Sequence, residues 1–209
     1  MNIPKSIVVF GSSSAYGKND IEGGGFAGRL RRWHEEVDIQ NKTYNLGIPG
    51  ADIDLLLDRI EMECRHRNPD LIILQLGSND ARREATPDND TVTSLDVFQD
   101  KFTTLIEQLR NIAPTLVISS YPFDESRTTP VSWRDVYFFL DDVADYAQEM
   151  KNITLRAGLH YLDIFGDWSN MDDYVDRYIS DDGLHANSQG HEFIFEKIRD
   201  EILSMNEES

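Results

Sequence analysis

At 209 residues, 40% hydrophobic and 28% charged, the chain suits a single domain spanning residues 1–209, and it holds no run near the ~18 apolar residues of a membrane span, which excludes a transmembrane protein. Its 20 Lys and Arg stand against 38 Asp and Glu, a net charge of −18 that repels phosphate backbones and argues against nucleic acid as a partner. Cys64 is the only cysteine, so an intramolecular disulfide and a cysteine-rich zinc site are excluded too.

From the N-terminus, Met1 to Phe10 carries one Lys and a four-residue apolar run, too short for the ~7–15 residue core of a secretory signal, and a cytoplasmic location is expected. Ile7 to Phe10, closed by Gly11, predicts a buried strand. Gly23-Gly24-Gly25-Phe26-Ala27-Gly28 matches G-x-G-x-x-G in form, but it comes after Lys18 to Glu22 rather than a strand. It is therefore expected to be a flexible lead-in to a helix and not a dinucleotide site. Phe26, Leu30 and Trp33 have helical spacing, and Arg29, Arg31 and Arg32 next to Glu35 and Glu36 make a solvated face.

A weaker strand, Lys42 to Leu46, precedes a helix carrying Ile53, Leu56, Leu57 and Ile60. Leu71 to Leu76, closed by Gly77, is a third strand. Residues Ala81 to Thr93 read as an irregular loop, and Phe98, Phe102, Leu105, Ile106 and Leu109 mark a helix. Leu116 to Ser120 is a fourth strand, with a second irregular stretch, Pro122 to Ser132, after it. A helix over Val136 to Met150, a weak strand over His160 to Phe165 and a helix over Phe193 to Leu203 complete the chain. Strands alternating with helices predict an α/β fold with a mostly parallel five-stranded sheet covered on both faces.

A parallel sheet gathers the turns at the carboxyl ends of its strands along one edge: Gly11-Ser12-Ser13-Ser14-Ala15-Tyr16-Gly17, Asn45 to Gly50, and Gly77-Ser78-Asn79-Asp80. Late in the chain, Asp182 precedes His185 by three residues, close enough for a tight turn to join carboxylate and imidazole. These are the parts of acyl transfer: a hydroxyl, a base with an acceptor behind it, and glycine and asparagine amides for an oxyanion.

The four segments, in this order from residue 10 to residue 185, resemble the conserved blocks of the SGNH (GDSL-like) hydrolases. The resemblance implies a three-layer, flavodoxin-like α/β/α fold and ester or thioester hydrolysis without cofactor or metal. It implies Ser13 as nucleophile, His185 and Asp182 as its partners, and an oxyanion hole from the Ser13 amide, Gly47 and Asn79. Tyr121 to Glu125 is similar to a Pro-x-Asp-Glu stretch of some esterase members. Ser12 stands where the family usually has Asp, which removes a carboxylate that braces the loop.

Plainer readings compete with each assignment. Three serines alone would be a solvated turn, with Ser12 and Ser14 as alternative nucleophiles, and Asp80 is expected to cap a following element. His34, His66, His160 and His191 show no metal spacing. Phe123, Trp133, Phe138 and Phe139 are candidates for a pocket wall or for core. The expected activity is hydrolysis of a small-molecule carboxylic ester. Alternatives are a carbohydrate O-acetyl esterase on the same machinery, a non-catalytic binding module, and a metal phosphoesterase built on Asp172-Asp173 and Asp181-Asp182.

Overall fold

The computed structural model describes residues 3–205. β1 (Ser6–Gly11), β2 (Lys42–Gly47) and β3 (Leu71–Gln75) are joined through α1 (Ser13–Tyr16), α2 (Gly25–Val37) and α3 (Ile53–Arg67). Next come β4 (Arg83–Glu84), α4 (Leu95–Arg110), β5 (Thr115–Ile118), α5 (Glu125–Thr128), β6 (Val136–Tyr137) and α6 (Leu140–Arg156). β7 (His160–Leu162), α7 (Ile164–Ser169), α8 (Tyr174–Tyr178) and α9 (Ser188–Met205) close the chain.

Five strands form one parallel sheet in the order β2-β1-β3-β5-β7. Alternate residues of each strand feed opposite layers. Val8, Phe10, Ile72, Leu74 and Val117 pack with the apolar stripes of α3, α4 and α6. Ile7, Val9, Leu71, Ile73, Leu116 and Ile118 pack with α2, α7 and α9. This is why the central strands are unbroken apolar runs: both faces are covered. The order is flavodoxin-like, and the connections leave β1 and β3 toward opposite sides, opening a crevice at the carboxyl ends of these two strands.

Beside small shifts at strand ends and an α9 that starts at Ser188 rather than Phe193, three stretches differ from the sequence expectation. The helix expected from Val136 starts at Leu140, whose N–H donates to Glu125 Oε2 at 2.6 Å. Val136 and Tyr137 instead pair antiparallel with Glu84 and Arg83, so both stretches expected to be irregular contain structure, a two-stranded ribbon and the short α5. β7 stops at Leu162 because Asp163 caps α7, accepting from Gly166 N at 2.9 Å.

The glycine-rich segment is pinned rather than flexible. Buried Asp20 accepts from Gly23 N (3.0 Å), Gly25 N (2.9 Å) and Ser188 Oγ (2.6 Å) and pairs with Arg29, which also meets Glu192 on α9. Side chains are excluded here by contact: a Cβ on Gly25 would lie 2.3 Å from Gly17 Cα, and one on Gly28 2.3 Å from Gly23 O. His191 locks the other side, donating through Nε2 to Lys18 O (3.1 Å) and accepting from Phe26 N (3.2 Å), while burial pushes its pKa down to about 4.

Candidate active site

The serine segment begins where β1 runs out. Gly11 is required there because a Cβ would sit 2.4 Å from the Gln75 carbonyl oxygen on the neighbouring strand. The chain then turns into the single-turn α1, with Ser12 O accepting from Tyr16 N at 3.0 Å. The three serines have different surroundings. Ser12 is buried, Ser14 Oγ pairs with Tyr121 OH at 2.7 Å, and Ser13 Oγ lies 2.9 Å from His185 Nε2.

His185 and Asp182 share a turn closed by Gly183 at φ +78°, where a side chain would strike Arg127. Asp182 Oδ2 meets His185 Nδ1 at 2.7 Å. Its Oδ1 accepts from Leu184 N, His185 N and Ser180 Oγ, each at 2.9 Å. Burial alone would raise this carboxyl's pKa, but the imidazole and backbone donors hold it well below the usual carboxylate range. An ionised Asp182 fixes the imidazole proton on Nδ1, leaving Nε2 as an acceptor facing the Ser13 hydroxyl.

Two residues that no sequence spacing singled out hold this arrangement. Asn19, in the left-handed region at φ +65°, donates through Nδ2 to Asp182 Oδ2 at 2.7 Å and to Ser180 Oγ at 2.8 Å. The pinned loop around Asp20 presents it there. Tyr121, three residues past β5, accepts from Ala186 N (3.0 Å) while pairing with Ser14, so its hydroxyl ties the serine turn to the histidine turn. Burial pushes that phenol up to about 12. An Asn beside turn residues is too common to mark Asn19, and the resemblance over Tyr121 to Glu125 marks Tyr121 without this contact.

Asn79 donates one amide proton to Ala51 O at 3.0 Å and lines the cleft beside Ser13. Gly47 does not reach the cleft. Its N–H donates to Asn45 Oδ1 at 3.0 Å, and its bare Cα makes room for α1, since a Cβ would lie 2.3 Å from Tyr16 N. Gly50, three residues on at φ +82°, lines the cleft with open space around it. Among the described residues, the amides of Ser13 and Gly50 donate to no protein acceptor. Asp80 faces inward, where Oδ1 accepts from Ile53 N and Thr93 Oγ1, both at 3.1 Å, anchoring the turn to α3.

The cleft over Ser13 has a volume of about 1210 Å³. Trp133 and Phe138 line it, Phe123 lies against a smaller void behind Ser13, and Phe139 lies beneath the Arg83 guanidinium, outside both cavities. Among the described residues no three His, Cys, Asp or Glu side chains cluster as a metal site, and no helix is long and apolar enough to cross a membrane.

A family profile described as the GDSL-like lipase/acylhydrolase family matches residues 9–193. Among solved structures, a lipase/acylhydrolase from Enterococcus faecalis is similar over 94% of this chain and 94% of its own, with 20% identity and a TM-score of 0.74. Axe2, an acetylxylan esterase from Geobacillus stearothermophilus, is similar over 95% and 94%, with 16% identity and a TM-score of 0.73. The acetyl xylan esterase AlAXEase is similar over 93% and 98%, with 22% identity and a TM-score of 0.72. No curated protein sequence matches the chain. Identities this low speak for the fold, and the family profile, spanning the chain from the end of β1 into α9, speaks for membership: the chain belongs to the GDSL-like lipase/acylhydrolase family and is a hydrolase of the esterase kind.

Proposed function

We propose that this hydrolase cleaves carboxylic esters of small molecules through an acyl-enzyme on Ser13. The observation that carries the reading is the unbroken line Ser13 Oγ, His185 Nε2, His185 Nδ1, Asp182 Oδ2, with separations of 2.9 and 2.7 Å across its two hydrogen bonds. Ser13 gives its hydroxyl proton to His185 Nε2 as Oγ bonds to the ester carbonyl carbon, and Asp182 stabilises the resulting imidazolium. The oxyanion is met by the amides of Ser13 and Gly50 and by the second Asn79 side-chain proton. Gly50 takes the place expected of Gly47, whose N–H is committed to Asn45. The C–O bond to the alcohol breaks as His185 returns the proton to the departing oxygen. Water then repeats the sequence on the acyl-serine, releasing the acid and restoring Ser13.

A fluorophosphonate probe is expected to label the native protein on Ser13, and Ser13→Ala to abolish both labelling and ester hydrolysis. An adduct mapping to Ser12 or Ser14, or a folded protein that neither labels nor hydrolyses, would refute the reading, the latter in favour of a binding module. A second reading, esters whose alcohol is a carbohydrate, is favoured by the likeness to Axe2 and AlAXEase, both acetyl xylan esterases.

A further inference from the structure

The two cavities that meet at Ser13, sharing Asn79, Phe138, Leu184 and His185 in their walls, are unequal in size. In the second half of acylation His185 Nε2 hands its proton to the departing alcohol oxygen, so the alcohol half of the ester lies against the imidazole. The group standing beside the imidazole is Trp133, with ring centroids 6.2 Å apart and planes 24° from parallel. Its side chain takes no part in either core cluster. It is 49% exposed and lines the large cleft together with Arg134.

The segment that carries Trp133 is built to hold it out. Val131 and Val136 are buried on either side, Val131 N donates to Val136 O at 2.9 Å, and Val136 N donates to Arg134 O at 2.8 Å. The four residues between the valines are therefore a tight loop whose tip carries an indole face and a guanidinium. Lys18, Asn19 and Asp181 also line this cleft. Behind Ser13, by contrast, the second void measures about 20 Å³, and Gln75 Oε1, which has no partner among the described residues, is buried beside it. That is room for one water-sized group.

We propose that Trp133 is the leaving-group subsite of this enzyme, and that the alcohol it takes is a neutral polyhydroxylated ring, a glycoside, carrying a short acyl group such as acetyl. A pyranose has an apolar C–H face to lie on an indole and a rim of hydroxyls for Lys18, Asn19, Arg134 and Asp181. A cleft with both cations and an acid at its edge and an aromatic plate in its wall matches that division of polarity. A long acyl chain finds no continuation in the small void. The proposal rests on the serine-hydrolase reading above.

The test compares the wild type, Trp133→Ala, Trp133→Phe and Ser13→Ala on O-acetyl methyl xyloside and on ethyl acetate, which shares the acyl group but has no ring. Trp133→Ala is expected to lose about tenfold in kcat/KM on the glycoside, mostly through KM, with ethyl acetate changed less than about twofold and Trp133→Phe retaining most of the activity. Equal losses on both substrates would make Trp133 a support for His185 and overturn the subsite. No loss on either overturns it as well. The butanoyl ester of the same glycoside is expected to react more slowly than the acetyl ester, and an equal rate would overturn the short-acyl part. Wild-type turnover of ethyl acetate that Ser13→Ala abolishes, without turnover of the glycoside, overturns the subsite alone. No turnover of either ester overturns the hydrolase reading and the subsite with it.

Discussion

Asp182 and Asp80 both lie near the carboxyl edge of the sheet, and their surroundings drive them to opposite states. Asp182 is half-buried and receives donors on both oxygens: Leu184 N, His185 N and Ser180 Oγ on one, the His185 ring and Asn19 on the other. Asp80 is fully buried, has two donors on Oδ1, and its Oδ2 has no partner among the described residues. Burial raises both. Donors outweigh it for Asp182, which stays far below the usual range, and fail to do so for Asp80, which is pushed up to about 7. A negative charge is thus held beside the His185 ring and is disfavoured where the carboxyl joins a turn to a helix.

The largest effect is expected of Asp182→Asn. An amide that turns its NH₂ toward the ring donates to Nδ1, which forces the ring proton onto Nε2 and leaves Ser13 facing a donor. In that tautomer kcat should fall about 10³–10⁴-fold while the melting transition stays cooperative. Steady-state kinetics on ethyl acetate beside a thermal melt would check this, and a loss under about tenfold would show that the ionised acid is not needed.

Much of this edge is legible in the sequence because the determinants are local. β1, β3 and β5 are apolar runs ended by Gly11, by Gly77 just past Leu76, and by Tyr121-Pro122, and the three-residue step from Asp182 to His185 is a turn. What escapes is decided by partners far along the chain. Val136 fits the helical period of its neighbours, yet α6 waits for Leu140 because the capping carboxylate belongs to Glu125 and Val136 has a strand partner in Glu84. Gly47 and Gly50 sit in one short block, and which of them faces the cleft depends on the Asn45 side chain folding back onto Gly47. Asn19 reaches Asp182 across 163 residues of sequence, which no spacing rule can register.

Asp80→Asn acts on stability rather than on turnover. With a folded pKa of about 7 against the ordinary 3.8, the folded state holds a proton that the unfolded chain has released. Stability from this group is therefore full below pH 3.8 and is lost as pH rises through 7, by roughly 4 kcal/mol in all. Asparagine keeps the acceptor for Ile53 and Thr93 and removes the charge, but introduces a buried NH₂ that costs about 1–3 kcal/mol. Asp80→Asn is expected to melt a few degrees above the wild type at pH 8 and at or below it at pH 4. Melting curves at both values check this, and a mutant that is less stable at both would show that Asp80 is ionised and satisfied in the folded protein.

The smallest effect expected comes from Asn19, and it isolates donor number from burial. Asn19→Ala removes one of five donors from Asp182 and leaves the His185 contact and both backbone contacts in place, so kcat should fall only about three- to tenfold, with KM little changed. Asn19→Asp changes the sign of the interaction. A second carboxylate at the 2.7 Å position now held by Nδ2 cannot share that space with Asp182 while both are charged, so the pair holds a proton to higher pH. Asp182 can stabilise the imidazolium only when that proton is gone. The acid limb of kcat/KM should therefore move to higher pH in Asn19→Asp and stay in place in Asn19→Ala, whereas a general loosening of the loop would lower both profiles without moving either. Profiles that superimpose after scaling would remove Asn19 from the relay and leave it as a loop residue that happens to touch the acid.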